Sequence, residues 1–146
     1  MKKKSDRLKI VLDLAERKEK TAMEELSKKR RYRDEQLAQL ESLKQYHFQY
    51  LEDIRTKTDQ VNSTFSLQAN LQFLTQVDAA IQQQENVLKI AEYEFSKASE
   101  NWMILHQKRK GMSDLINGYK KSEMQIADKK EQQQIESDLL SRRYRS

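Results

Sequence analysis

The chain has 146 residues, with 28 Lys or Arg against 23 Asp or Glu and a formal net charge of +5. Only 36% of its residues are hydrophobic, Pro and Cys are absent, and Gly occurs twice. That composition excludes a thick globular core, a loop-rich fold, a disulfide framework and a thiolate metal site.

Length suggests a single domain, 1–146, and scarce turn residues suggest few chain reversals. No apolar run is long enough to span a membrane. The basic start, from Met1 to Arg7, is not followed by the apolar stretch of a secretory signal. Low hydropathy with high charge also describes disordered chains. Periodicity decides between disorder and long helices.

The first element is a helix over about 5–61, with Ser5 as its cap. Leu8, Leu12, Ala15, Glu19, Ala22 and Leu26 alternate in steps of four and three. The step from Leu26 to Arg30 is a second consecutive four, which reads as a stutter that locally unwinds a supercoil. Arg33, Leu37, Leu40, Lys44, His47, Leu51, Ile54, Thr58 and Val61 then resume the alternation.

The loop is placed at about 62–66. Asn62, Ser63, Thr64 and Ser66 compete for backbone hydrogen bonds there and offer a cap to the next helix.

The second helix is placed at about 67–140. Its seam runs Leu67, Asn70, Leu74, Val77, Ile81, Gln84, Leu88, Ala91, Phe95, Ala98, Trp102, Leu105, Arg109, Met112, Ile116, Tyr119, Glu123 and Ile126, then fades through Lys130, Gln133, Ser137 and Leu140. Fifteen of these twenty-two positions are apolar or aromatic, and the spacing never slips. A repeat of 3.5 residues held this long marks a helix facing a partner helix in a coiled coil. Gly111 and Gly118 read as tolerated soft spots, with a kink and a looser coil beyond residue 110 as the alternative.

Two helices and one short loop predict an all-α fold, a long antiparallel two-helix coiled-coil hairpin. At 1.5 Å per residue the helices are about 80 and about 110 Å long. With the loop centred near residue 64, residue i lies opposite roughly residue 128 − i, and the end of the second helix overhangs.

Candidate chemistry is sparse. His47 reads as a satisfied polar residue on the seam. Acid pairs such as Glu24 with Glu25 are what a solvated coil displays. A two-helix coil offers no concave pocket to tune a pKa, so no enzyme activity, catalytic residue, metal or cofactor is expected.

Charge is uneven. Residues 44–97 hold 5 basic and 7 acidic residues, which leaves 23 basic and 16 acidic for the rest of the chain. The clusters Lys28, Lys29, Arg30, Arg31 with Arg33, and Lys108, Arg109, Lys110, fall toward the open end of the predicted hairpin. They read as solvated helix faces, or as an end that enters an acidic protein cavity or meets anionic lipid. Nucleic acid is disfavoured because no aromatic stacking surface is interleaved.

A second apolar stripe shares only Val77 and Gln84 with the traced seam. Gln39, Leu43, Tyr46 and Tyr50 step by four, three and four, and so do Phe73, Val77, Ala80 and Gln84. By the pairing rule, residues 46 and 50 lie opposite about 82 and 78, so both stripes sit near the tip. A broader seam is one reading, and an exposed protein-binding patch is the other.

These residues carry a resemblance. Leu12 to Glu16, the series Gln39, Leu43, Tyr46 and Tyr50, the run from Asn70 to Gln84, Trp102 ahead of Gln107 to Lys110, and Lys130 to Asp138 together resemble the FliJ family of bacterial flagellar export proteins over nearly the whole chain. The most specific piece is Phe73, Val77, Ala80 and Gln84 in register with Tyr46 and Tyr50. The resemblance implies a non-enzymatic coiled coil similar to the central stalk of rotary ATPases. It implies a terminal end, with the basic clusters, in the pore of the flagellar export ATPase hexamer, promoting its assembly. It implies contact of Phe73 and Val77, with Ala80, Gln84, Gln39, Leu43, Tyr46 and Tyr50 around them, with the cytoplasmic part of the export gate. Export chaperones are further implied partners. The implied location is the cytoplasmic face of the inner membrane at the flagellar base, as a peripheral protein serving motility. The family position of Val77 often carries Leu, and that of Gln84 can carry His. The equivalent stalk of a virulence type III injectisome and a generic coiled-coil tether are the alternative readings.

Overall fold

The computed structural model describes residues 3–57 and 64–145. Two helices account for them, α1 at Lys4–Lys57 and α2 at Thr64–Arg145. Residues 58–61 of the expected first helix and 62–63 of the expected loop lie outside the described residues. Thr64, Phe65 and Ser66, expected in the loop, open α2 instead. At the other end α2 continues past the expected 140 to Arg145. It passes through Gly111 and Gly118 without a break, and a methyl group at either would meet open space.

The two long helices pack against each other as the expected all-α hairpin pairing. Contacts divide the chain into two compact units, Met1–Thr21 with Met103–Ser146, and Ala22–Trp102. A helix pair touches only its near neighbours along the seam, so contacts stay local rather than gathering into one core.

In the unit Ala22–Trp102, α1 and α2 run antiparallel. Lys29 meets Glu94, Arg33 lies over Phe95, Gln36 bonds Gln84, His47 meets Asp78 and Tyr50 bonds Asn70. Its core is Ala22, Leu26, Leu40, Val77 and Ala91. In the other unit the sense is the same: Ser5 bonds Glu123 and Glu19 bonds His106 and Arg109. Ile116 and Ser5 are buried there.

Burial along α2 follows the predicted seam from Asn70 to Glu123, but the first predicted seam residue, Leu67, is exposed. Asn70, Leu74, Val77, Ile81, Gln84, Leu88, Ala91, Phe95, Ala98, Trp102, Leu105, Arg109, Met112, Ile116, Tyr119 and Glu123 are all buried or half-buried. Every residue from Met124 to Arg145 is exposed.

Along α1 the structure corrects the expectation. There is no stutter. After Leu26 the inward residues are Lys29, Arg33, Gln36, Leu40, Leu43, His47, Tyr50 and Ile54, an unbroken alternation of three and four. Arg30, Leu37, Lys44 and Leu51, traced as seam, are exposed. Periodicity misleads here because the inward Lys29 and Gln36 are polar, while Leu37, the exposed neighbour of Gln36, is apolar. Polar seam residues are tolerated here because each is satisfied across the interface.

Ser5 is also relocated. α1 starts at Lys4, and the Asp6 and Arg7 amides donate to the Lys3 carbonyl. The Ser5 hydroxyl donates instead to Glu123 Oε2 at 2.7 Å, tying the helix start to α2.

The pairing rule holds for one class of seam residue and fails for the other. Ser5 with Glu123, Glu19 with Arg109 and Arg33 with Phe95 obey it. Gln36 reaches 84 where 92 was expected, and Tyr50 reaches 70 where 78 was expected. Helical side chains lean along their own axes, so alternate seam layers select partners from different turns.

Candidate partner-binding edges

The continuous seam reassigns the second stripe. Leu43 and Tyr50 belong to the seam, while Gln39 and Tyr46 lie one step outside it and are exposed. On α2, Val77 and Gln84 are seam residues, and Phe73 and Ala80 flank them, half-buried. The eight residues are therefore half core and half edge, and the edge half occupies a single flank of the helix pair.

Three rings gather on this flank. The Phe73 centroid is 4.6 Å from that of Tyr50 and 6.1 Å from that of Tyr46, the latter edge-on. Tyr46 and Tyr50 lie one turn apart on α1 with centroids 6.5 Å apart. The Tyr50 hydroxyl donates to Asn70 Oδ1 at 2.8 Å, which fixes its ring against Phe73. Tyr46 keeps 51% of its surface exposed. A ring clamped on one side and open on the other is a low-entropy surface for a partner.

Val77 and Gln84 face elsewhere. Val77 is only 8% exposed and packs in the core. The Gln84 side-chain amide donates to the Gln36 carbonyl at 3.0 Å and to Gln36 Oε1 at 2.8 Å, a cross-link between the helices. The groups this flank offers outward are Tyr46, Gln39, Ala80 and the outer side of Phe73.

The opposite flank is charged. Lys44 Nζ lies 3.9 Å from Glu85, and His47 Nε2 lies 2.9 Å from Asp78. The His47 partner is thus a carboxylate.

The basic residues separate into those with a partner inside their own unit and those turned outward. Lys29 bridges Glu94 at 3.1 Å and Glu25 at 3.9 Å. The Glu94 hydrogen bond raises the ammonium pKa above its ordinary value. Arg33 lies 4.5 Å from the Phe95 ring centre and also bonds Asp34, while Arg30 lies 5.8 Å from the same ring. Lys28 and Arg31 are exposed in that unit. In the other unit Lys108 and Lys110 are exposed, whereas Arg109 is drawn inward.

Arg109 belongs to a polar triangle that sequence reasoning missed. Its Nε donates to Glu19 Oε2 at 2.6 Å, and His106 Nδ1 lies 2.7 Å from Glu19 Oε1. These hydrogen bonds, Arg109 first, hold the Glu19 carboxyl below its ordinary 4.5, against the opposing effect of burial. Glu19 raises the Arg109 pKa in return. A signal was present: Glu19 and Arg109 are oppositely charged seam residues that the pairing rule places face to face.

Two long antiparallel helices, with a partly apolar flank and several outward cations, define a coiled-coil protein suited to contacting other proteins. The chain belongs to the flagellar FliJ protein family, whose model matches residues 3–145. Membership makes it a component of the flagellar export apparatus. No curated protein and no solved structure gave a match. Among the described residues, no helix is long and apolar enough to cross a membrane.

Proposed function

We propose that this protein is a non-enzymatic stalk of the flagellar export apparatus. On this reading it promotes assembly of the export ATPase hexamer, couples that ATPase to the cytoplasmic part of the export gate and handles export chaperones. Its place is peripheral, on the cytoplasmic face of the inner membrane.

The observation that carries the reading is the flank built by Tyr46 and Phe73, where rings clamped from within remain open to a partner. The clamp comes from Tyr50, so the surface is formed before the partner arrives and little ordering entropy is lost on binding. Electrostatic attraction to the ATPase falls to the outward cations Lys28, Arg31, Lys108 and Lys110. Lys29, Arg33 and Arg109 already hold partners within their own units.

The test uses full-length protein and purified export ATPase, with light scattering to follow hexamer formation. Wild-type protein promotes hexamers. A variant with Lys28, Arg31, Lys108 and Lys110 each replaced by Glu keeps its helicity and loses the effect. Undiminished promotion by that variant overturns the ATPase-facing assignment.

A further inference from the structure

The aromatic flank does not stop at Ala80. Stepping by seven from Tyr46 gives Gln39, then Tyr32, then Glu25, all on the same flank of α1. Stepping by seven from Phe73 gives Ala80, then Val87, then Glu94 on α2. The pairing of Tyr46 with Phe73 at one end and the bridging of Glu25 and Glu94 by Lys29 at the other show that the two series border one flank. Alternating between the helices, the flank reads Phe73, Tyr46, Ala80, Gln39, Val87 and Tyr32.

Tyr32 is 44% exposed and Val87 is half-buried. They resemble Tyr46 and Phe73 in placement: one exposed ring on α1 and one half-covered apolar group on α2. Between the two pairs lie Ala80, a single methyl, and the polar Gln39. The flank is thus a saddle with an apolar shoulder at each end. The shoulders Tyr32 and Tyr46 are separated by about 21 Å along the helix.

The flank then ends abruptly. Lys29 sits between the carboxylates of Glu25 and Glu94, and a charged cluster takes over from apolar surface. Beyond Tyr46 toward the turn, the next residue in the α1 series is Asp53, also charged. The apolar strip therefore has two defined ends.

We infer that this strip is the full footprint of one amphipathic helix of the gate-side partner, and that Tyr32 and Val87 form its second anchoring shoulder. The heptad repeat of the strip selects the occupant. Shoulders spaced in multiples of seven residues match the apolar repeat of another helix packing alongside. An apolar side chain of that helix would sit over Ala80, where the flank is lowest. A second copy of this chain is the competing occupant, and sedimentation of the free chain as a dimer that Tyr32→Lys dissolves would overturn the assignment to a partner helix.

The inference rests on the reading that Tyr46 and Phe73 contact the export gate, and the experiment separates the two. Binding of the full chain to the purified cytoplasmic domain of the gate protein is measured by titration calorimetry. The variants are Tyr32→Lys, Val87→Ser, Phe73→Ala and, as a control off the strip, Phe48→Ala, each with its helicity checked by circular dichroism. Tyr32→Lys is expected to weaken binding about tenfold or more, as truncating an anchor does, and Phe48→Ala to leave it unchanged. If Phe73→Ala weakens binding while Tyr32→Lys and Val87→Ser do not, the second shoulder is overturned and the gate contact stands. If none of the variants weakens binding, the gate contact itself fails. Should Val87→Ser lose helicity, the exposed Tyr32→Lys decides alone.

Discussion

Replacing Phe73 by Ala tests whether the aromatic flank is a preformed surface or a set of loose side chains. The ring makes two aromatic pairs, at 4.6 Å with Tyr50 and 6.1 Å with Tyr46. Such pairs contribute about 0.5–1.5 kcal/mol each beyond burial. Tyr46 is half-exposed, so its pair belongs at the low end of that range. Phe73 is itself half-buried, so its burial adds about 1 kcal/mol, roughly half of what full burial of such a side chain contributes. The sum is about 2–3 kcal/mol, which corresponds to a fall in melting temperature of roughly 5–10 °C for a helical chain of this size.

The assay is thermal and urea unfolding followed by circular dichroism. A cycle comparing Phe73→Ala, Tyr50→Ala and the double variant isolates the pair. Its coupling energy should be about 1 kcal/mol, with the double variant less destabilised than the sum of the singles. Coupling below about 0.3 kcal/mol, the ordinary error of additivity, refutes the clamp. Phe73 would then be a free anchor and its truncation would report binding alone. With the clamp intact, part of any binding loss in Phe73→Ala is lost preorganisation, and Tyr46→Ala gives the cleaner measure of direct contact.

Two further outcomes follow from the seam. The Glu19 carboxyl has a lowered folded-state pKa, so its stabilising contribution is fully present above the unfolded value. It is lost as pH falls from about 5 through that value to the lower folded pKa. Glu19→Gln should therefore flatten the acid limb of the urea midpoint against pH, and an unchanged acid limb would show that Arg109 and His106 do not hold the carboxylate in solution. Leu40 is 5% exposed and Leu37 is 40% exposed, so Leu40→Ala should cost about 2–3 kcal/mol and Leu37→Ala less than about 1 kcal/mol. The stuttered seam would bury both leucines, so equal costs in urea unfolding would restore it.

The fold was legible because α2 repeats a strong apolar signal at an unbroken spacing, from Asn70 to Glu123. Strength of signal was also why α1 was misread. Its inner face between Leu26 and Leu40 is Lys29, Arg33 and Gln36, none of which scores as apolar. The neighbouring Leu37 drew the trace sideways, and the stutter was the price of that detour. Once the seam shifts, Leu43 and Tyr50 become core and the supposed second stripe divides. Periodicity groups eight residues into one stripe, whereas the structure turns Leu43, Tyr50, Val77 and Gln84 into the seam and leaves Gln39, Tyr46, Phe73 and Ala80 at its edge. That distinction turns on cross-helix bonds such as Gln84 with Gln36, which single-chain periodicity does not encode.

The polar seam residues of α1 explain why one register is selected. An apolar seam alone tolerates a slip of one heptad, because Leu, Ile and Val are interchangeable neighbours at that spacing. In the observed register Lys29 meets Glu94, Arg33 lies over Phe95 and Gln36 bonds Gln84. A slip of seven residues would set Arg33 against Leu88 or Trp102 and Gln36 against Val77 or Ala91. Gln36 would lose a hydrogen-bonding partner in a half-buried site, which costs about 1–3 kcal/mol, and Lys29 would leave Glu94. Exposed ion pairs add little energy, yet a mispaired polar group subtracts a good deal. The flank depends on this discrimination: Tyr46 and Phe73 are neighbours in one register only, and a slipped coil of equal helicity would carry the same residues without presenting them together.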